Sequence, residues 1–202
     1  MHMHRRTFLV SLPLAAALTH LRLDAAQDPE FVRAWERAQK ARPATLSAVA
    51  RIAPAGEPGT PLTIRGRVYQ IDGRTPAPGV MVFAYQTDRE GLYAPRTEPP
   101  HTWRLKGWAR TGEDGRFEFH TIRPGAYPGR TIAEHVHFSI EGPSLPRRYT
   151  PELNFADDPI VTAAVKRTSD AAGTFGSVRS VQKTAAGQLV EFNIRITESG
   201  RF

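Results

Sequence analysis

The run Ala133-Glu134-His135-Val136-His137-Phe138-Ser139-Ile140 alternates in character over a segment rich in strand formers. Successive side chains of an extended strand point to opposite faces, so His135 and His137 project to one side and Val136, Phe138 and Ile140 to the other. One face of such a strand can pack a core while the other holds a metal ion. Taken alone, a histidine pair on a strand is equally a solvated surface feature. What the pair does therefore depends on the rest of the chain.

Similar patterns lie on both sides. Leu62-Thr63-Ile64-Arg65-Gly66-Arg67-Val68-Tyr69 alternates, Asp72-Gly73-Arg74 turns, and Gly79-Val80-Met81-Val82-Phe83-Ala84-Tyr85 supplies the next strand. Further strands are expected at Gly107 to Arg110, at Arg116 to Thr121 after the Glu113-Asp114-Gly115 turn, and at Leu189 to Thr197. With 17 prolines, 16 glycines and little helical periodicity between them, these short strands predict an all-β protein, a β-sandwich. Two long connections, 87–106 and 143–187, stand out, because loops of that length in a compact domain usually carry function or are disordered. Tyr69 and Tyr85 read as core or sheet-face residues, Tyr149 as a loop residue, and His120 as a solvent-facing one.

The 202 residues suit one domain with appendages. His4-Arg5-Arg6-Thr7-Phe8-Leu9-Val10, an apolar stretch through about Leu18 and small residues up to Ala25-Ala26 read as a twin-arginine export signal over 1–26, removed on the way to the periplasm or cell exterior. The apolar run is too short for a permanent membrane span. Residues 27–61 read as a helical arm and linker. The helix is expected from Asp28 as N-cap and Pro29 to about Arg42, with Phe31, Trp35 and Ala38 on one apolar stripe, laid on the domain or on a neighbouring subunit. Pro, Ala and Gly dominate 43–61, and the sandwich occupies 62–202. The chain contains no cysteine, which excludes disulfides and thiolate metal sites, so any metal has nitrogen and oxygen ligands. The first 26 residues hold three arginines and one aspartate, which leaves +5 of the net charge of +7 on the mature chain. Without a basic stripe, a nucleic-acid motif or an aromatic platform, that mild excess gives no ground for a nucleic-acid partner.

Several pieces of sequence together resemble the intradiol ring-cleavage dioxygenases, and in particular their protocatechuate 3,4-dioxygenase branch. They are Asp88-Arg89-Glu90-Gly91-Leu92-Tyr93, Gly107-Trp108-Ala109-Arg110-Thr111, Asp114-Gly115-Arg116-Phe117-Glu118-Phe119, Thr121-Ile122-Arg123-Pro124-Gly125-Ala126-Tyr127-Pro128 and His135-Val136-His137-Phe138. The resemblance implies a sandwich of the intradiol type and a non-haem Fe(III) held by Tyr93, Tyr127, His135 and His137. Hard anionic phenolates and neutral imidazoles suit that ion, and two phenolates with one hydroxide would cancel its charge. It further implies a catechol and O2 as substrates, a cis,cis-muconate-type product, no reducing cofactor, and Tyr93 as the ligand that gives way to the catechol. A homo-oligomer is compatible with it.

The chain also departs from the branch. An arginine three residues before the first ligand histidine is replaced by Ile132, leaving Arg130, and also Arg110 and Arg123, as candidates for its catalytic role. A pocket glutamine falls on Glu152, whose carboxylate would repel a carboxylated catechol, pair with another site residue or face solvent. A second reading stays open at this stage: a non-catalytic transthyretin-like or carbohydrate- or surface-binding β-sandwich module with a degenerate metal site.

Overall fold

Val136, Phe138 and Ile140 point from strand β6 (His135–Gly142) into the centre of a two-layer β-sandwich, each no more than 2% exposed. The structure, a computed structural model, describes residues 29–95, 103–129 and 131–198. One sheet contains β1 (Val49–Arg51), β5 (Arg116–Ile122), β2 (Pro61–Tyr69), β11 (Gly187–Glu191) and β10 (Gln182–Thr184) in that spatial order, with β12 (Ile194–Arg195) also on β2. The other contains β4 (Leu105–Arg110), β3 (Met81–Gln86), β6, β8 (Leu153–Phe155) and β9 (Val178–Arg179), with β7 (Leu145–Tyr149) also on β6. The registers Ile64↔Phe119 in the first sheet and Ala84↔Phe138 in the second aim branched and aromatic side chains at a common core. Fully burying a side chain of this kind stabilises the fold by about 1.5–3 kcal/mol.

Strand β3 is buried along its whole length because both of its faces are covered. Val82 and Ala84 face the core, whereas Met81, Phe83 and Tyr85 face outward beneath helix α1 (Pro29–Lys40). Ala34, Trp35 and Ala38 are the buried face of that helix, and the Trp35 ring meets Phe83 edge-on at 4.9 Å. The arm therefore lies on its own domain. It ends at Lys40, short of Pro43, and the side chain of Phe31 lies outside the described residues, as do Asp28 and the expected export signal.

Three expectations are corrected. The segment read as linker contains β1, whose Val49, Ala50 and Arg51 pair in parallel with Glu118, Phe119 and His120. Three residues are too few to show an alternation, and the pairing alone makes them a strand. The connection 143–187 holds β7, β8, β9, β10 and helix α2 (Ala163–Ala171), whose N-cap Thr162 accepts a hydrogen bond from the Val165 amide. The single strand expected at Leu189 to Thr197 breaks at Phe192-Asn193 into β11 and β12, both parallel to β2. There the Asn193 side chain accepts from the Arg67 amide, and a Cβ on Gly66 would fall 1.8 Å from the Phe192 carbonyl oxygen. No helix among the described residues is long and apolar enough to cross a membrane.

At one end of the sandwich, buried Gln86 ties the layers together. Its amide donates to the carbonyls of Thr87 and Ile122, and its carbonyl oxygen accepts from the Thr121 hydroxyl. Every polar group of the tie is partnered, so its burial carries no desolvation penalty left unanswered. β3 and β5 run out into loops at this end, and β6 begins there.

Candidate metal centre

The loop after β3 is shaped by its own sequence. The Asp88 carboxylate accepts from the amides of Glu90 and Leu92, an Asx turn, and Gly91 takes φ +82°, open to glycine at no steric cost. The loop after β5 is fastened to it, since the Gly125 amide donates to the Asp88 carbonyl at 2.7 Å and the Thr87 hydroxyl to the Gly125 carbonyl at 2.8 Å. The backbones touch: a Cβ on Gly91 would lie 2.0 Å from the Ala126 carbonyl oxygen, and one on Gly125 would lie 2.5 Å from that of Arg89. This close approach brings Tyr93 and Tyr127 together.

Their phenol oxygens hydrogen-bond to each other. The Tyr93 oxygen lies 2.8 Å from Nε2 of His137, and the Tyr127 oxygen lies 3.2 Å from Nε2 of His135 and 3.5 Å from that of His137. The two Nε2 atoms are 3.0 Å apart. The protonation pattern follows from the partners of the other ring nitrogens. Nδ1 of His135 is 2.7 Å from the Ala133 carbonyl and Nδ1 of His137 is 3.2 Å from the Glu152 carboxylate, both pure acceptors. Each Nδ1 is therefore the protonated nitrogen, and in a neutral imidazole each Nε2 presents a bare lone pair.

Five close contacts thus join four electron-rich atoms that have two phenolic hydrogens to share. Such a donor-poor cluster is complementary to a cation with a preference for nitrogen and oxygen. Burial shapes its electrostatics. It pushes the Tyr93 phenol well above its ordinary value, with the Tyr127 phenol adding to the effect, and it pushes Tyr127 up to about 12. It holds His135 below the usual imidazole value, assisted by neighbouring His137. Metal-free, the site favours neutral phenols and a neutral His135.

The four residues expected to meet are brought together, and Glu152 joins them through His137. Arg130 lies outside the described residues. Arg123 is committed elsewhere, bonded to Glu134 at 2.7 Å and Asp157 at 2.8 Å, with its guanidinium over the Phe155 ring. Arg110 donates to the Gly79 carbonyl at the far end of β3, and Ile132 is 47% exposed. His120 pairs with Glu118 on the other sheet. Tyr85, expected to serve packing alone, stacks flat on His137 with ring centroids 4.5 Å apart. The register Tyr85↔His137 places it there, and alternation within β3 alone could not show which neighbour it would meet. Tyr149, expected in a loop, lies in β7 with its ring 6.0 Å from that of Trp35.

A family model described as Dioxygenase matches residues 28–197. A 6-chlorohydroxyquinol 1,2-dioxygenase of Cupriavidus pinatubonensis is 35% identical over 104 residues, covering 44% of this chain and 37% of that protein. The protocatechuate 3,4-dioxygenase beta chain of Burkholderia cepacia is 31% identical over 117 residues, covering 52% of this chain and 49% of that one. The chain thus aligns with less than half the length of either relative. Among solved structures, the dioxygenase domain of a dioxygenase carbohydrate-binding protein fusion from a Streptomyces species matches with a TM-score of 0.56 and 26% identity, over 74% of this chain and 87% of that one. A catechol 1,2-dioxygenase from an Acinetobacter species matches with a TM-score of 0.57 over 80% of this chain and 64% of that one, and at 16% identity it speaks to the fold alone. With the family model spanning most of its length, the chain belongs to the intradiol ring-cleavage dioxygenase family.

Proposed function

We propose that this protein is a non-haem Fe(III) enzyme that opens a catechol between its two hydroxyl-bearing carbons with O2, giving a cis,cis-muconate-type product. The observation that carries the reading is the donor-poor cluster of two phenol oxygens and two imidazole nitrogens. Ferric iron held there would supply an electron-withdrawing centre that opens a catecholate ring to O2 without a reducing cofactor. His135, His137 and Tyr127 would hold the ion. Tyr93 would give way to the substrate and take up a catechol proton at its phenol oxygen, a task suited to a group whose burial strongly favours the protonated form. Tyr85, flat against His137, fills the space behind the imidazole and excludes water from it.

The surroundings favour an uncharged catechol over a carboxylated one. Glu152 puts a carboxylate beside the centre, Ile132 stands where the branch has a guanidinium, and Arg123 is held in ion pairs. The twin-arginine N-terminus supports an enzyme exported after folding.

The test is a visible absorption spectrum of the purified protein with metal analysis, followed by catechol and O2 in the same cuvette. A broad tyrosinate-to-iron band that shifts on adding catechol, with O2 consumed and muconate formed, is expected. A protein that stays colourless after iron reconstitution would sink the reading.

A further inference from the structure

We infer that Glu152 is the positioning residue of His137, holding the imidazole as its Nδ1–H tautomer and, under the reading above, making His137 the more electron-donating of the two histidine ligands.

The backbone puts Glu152 there. β6 pairs antiparallel with β8 at Val136↔Leu153 and His135↔Asn154, so Glu152 stands directly across from His137, the next position in the same register. On the other side of β6, Tyr85 is opposite the same histidine. Directly opposed residues share a face of the sheet, so His137 is gripped by both cross-strand neighbours. Tyr85 stacks on its ring at an interplanar angle of 13°, and the Glu152 carboxylate lies 3.2 Å from its Nδ1.

His135 is braced differently. Its Nδ1–H goes to the Ala133 carbonyl, a neutral backbone acceptor two residues away that no substitution of a side chain removes. The two imidazoles therefore differ in the charge behind them, and a carboxylate behind a ligating histidine fixes the tautomer and raises the basicity of the other nitrogen. Glu152 meets the Nδ1 edge of the ring, whereas both tyrosines lie on the Nε2 edge. That division of the ring makes Glu152 an orienting group rather than a fifth donor. Sequence alone marks the position merely as a carboxylate where the branch has an amide.

The test uses the full-length protein with Glu152→Gln and Glu152→Ala. Glutamine keeps an oxygen that can accept from Nδ1–H and removes the charge, whereas alanine removes both. Nitrogen-15 NMR of the imidazole rings, in protein freed of metal by chelation, is expected to show His137 protonated at Nδ1 in the wild type and in Glu152→Gln. In Glu152→Ala the Nε2–H form should appear, with His135 unchanged. Loaded with Fe(III), Glu152→Ala should lose iron affinity about 10- to 100-fold, as removal of such partners generally does. Glu152→Gln should retain more iron, and its tyrosinate-to-iron band should move to longer wavelength, because a less donating His137 leaves the ion more electron-poor. An unchanged His137 tautomer and unchanged iron affinity in Glu152→Ala would overturn the inference. A wild type that takes up no iron, yet loses its Nδ1–H tautomer in Glu152→Ala, would uphold the positioning role and overturn the proposed function instead.

Discussion

The phenol oxygens of Tyr93 and Tyr127, carried on two loops and 34 residues apart in sequence, share a hydrogen bond. Both phenols are held in the protonated form, burial being the largest cause in each. A trivalent ion must therefore displace their protons to gain two phenolate ligands. Loading of Fe(III) at neutral pH should release at least two protons per ion, read from the buffer dependence of the binding heat. Tyr127→Phe should release one fewer and lose most of the visible band. Affinity should fall as pH is lowered, since protons then compete better for the phenolates.

The same phenols set the alkaline limit of the metal-free protein. Tyr127 is raised to about 12, and Tyr85, Tyr93 and Tyr149 move in the same direction, all chiefly by burial. A tyrosine of the unfolded chain titrates near pH 10, so above that pH the unfolded state binds fewer protons than the folded one. Stability is therefore fully present below about pH 10 and is lost as pH rises towards 12, by at most about 1.4 kcal/mol per pH unit for each tyrosine. At the acid end, hydrogen bonds from Arg123 to Asp157 and from Arg104 to Glu57 hold both carboxyls below their ordinary values, so their contribution is lost as pH falls below about 4. Urea midpoints at pH 3, 7, 9 and 11 should trace a plateau with two falling shoulders.

Gly91 and Gly125 let the two tyrosine loops touch. Alanine at Gly91 meets both a left-handed backbone and a carbonyl 2.0 Å from its Cβ, while at Gly125 the obstacle is the Arg89 carbonyl at 2.5 Å. The backbone conformation alone costs about 1–2 kcal/mol. Each variant should fold with a lower thermal midpoint and retain iron less well than a Gly112→Ala control, whose φ lies outside the left-handed region and whose Cβ meets only the Asp114 carboxylate, at 3.6 Å. Iron retention equal to that of the control would show that the loop contact does not position the tyrosines.

Glu152 also bears on substrate choice. Two unit charges a few ångström apart interact by about 1–4 kcal/mol between aqueous and near-surface dielectrics. Replacing Glu152 by Gln should therefore raise kcat/KM for a carboxylated catechol relative to catechol itself by about tenfold or more. The ratio of the two substrates isolates the charge, because any loss of iron affects both alike.

The sandwich was legible in the sequence wherever strands were long and had one face buried. Leu62 to Tyr69 and Arg116 to Thr121 announced themselves by alternation, and Tyr93, Tyr127, His135 and His137, named from the resemblance, are the residues that the fold gathers. What escaped depends on partners rather than on local pattern. β1 has three residues and is a strand because β5 accepts it. β11 and β12 read as one strand because the bulging Phe192-Asn193 pair is set by Gly66 on a strand more than a hundred residues earlier. Tyr85 and Glu152 meet His137 through cross-strand register, which no single segment encodes.

The parallel pairing of β2 with β11 and β12 governs how this protein is made. Arg67 and Asn193, joined by a hydrogen bond, are separated by 126 residues, and at about 5–20 residues per second the ribosome needs roughly 6–25 s to bridge them. Throughout that interval β2 has a bare edge, open to pairing with another nascent chain. Pairings this distant in sequence also slow folding once synthesis is complete. The growing polypeptide thus depends on β11 and β12 to close β2, and crowding by sister chains is the hazard that it has to outrun.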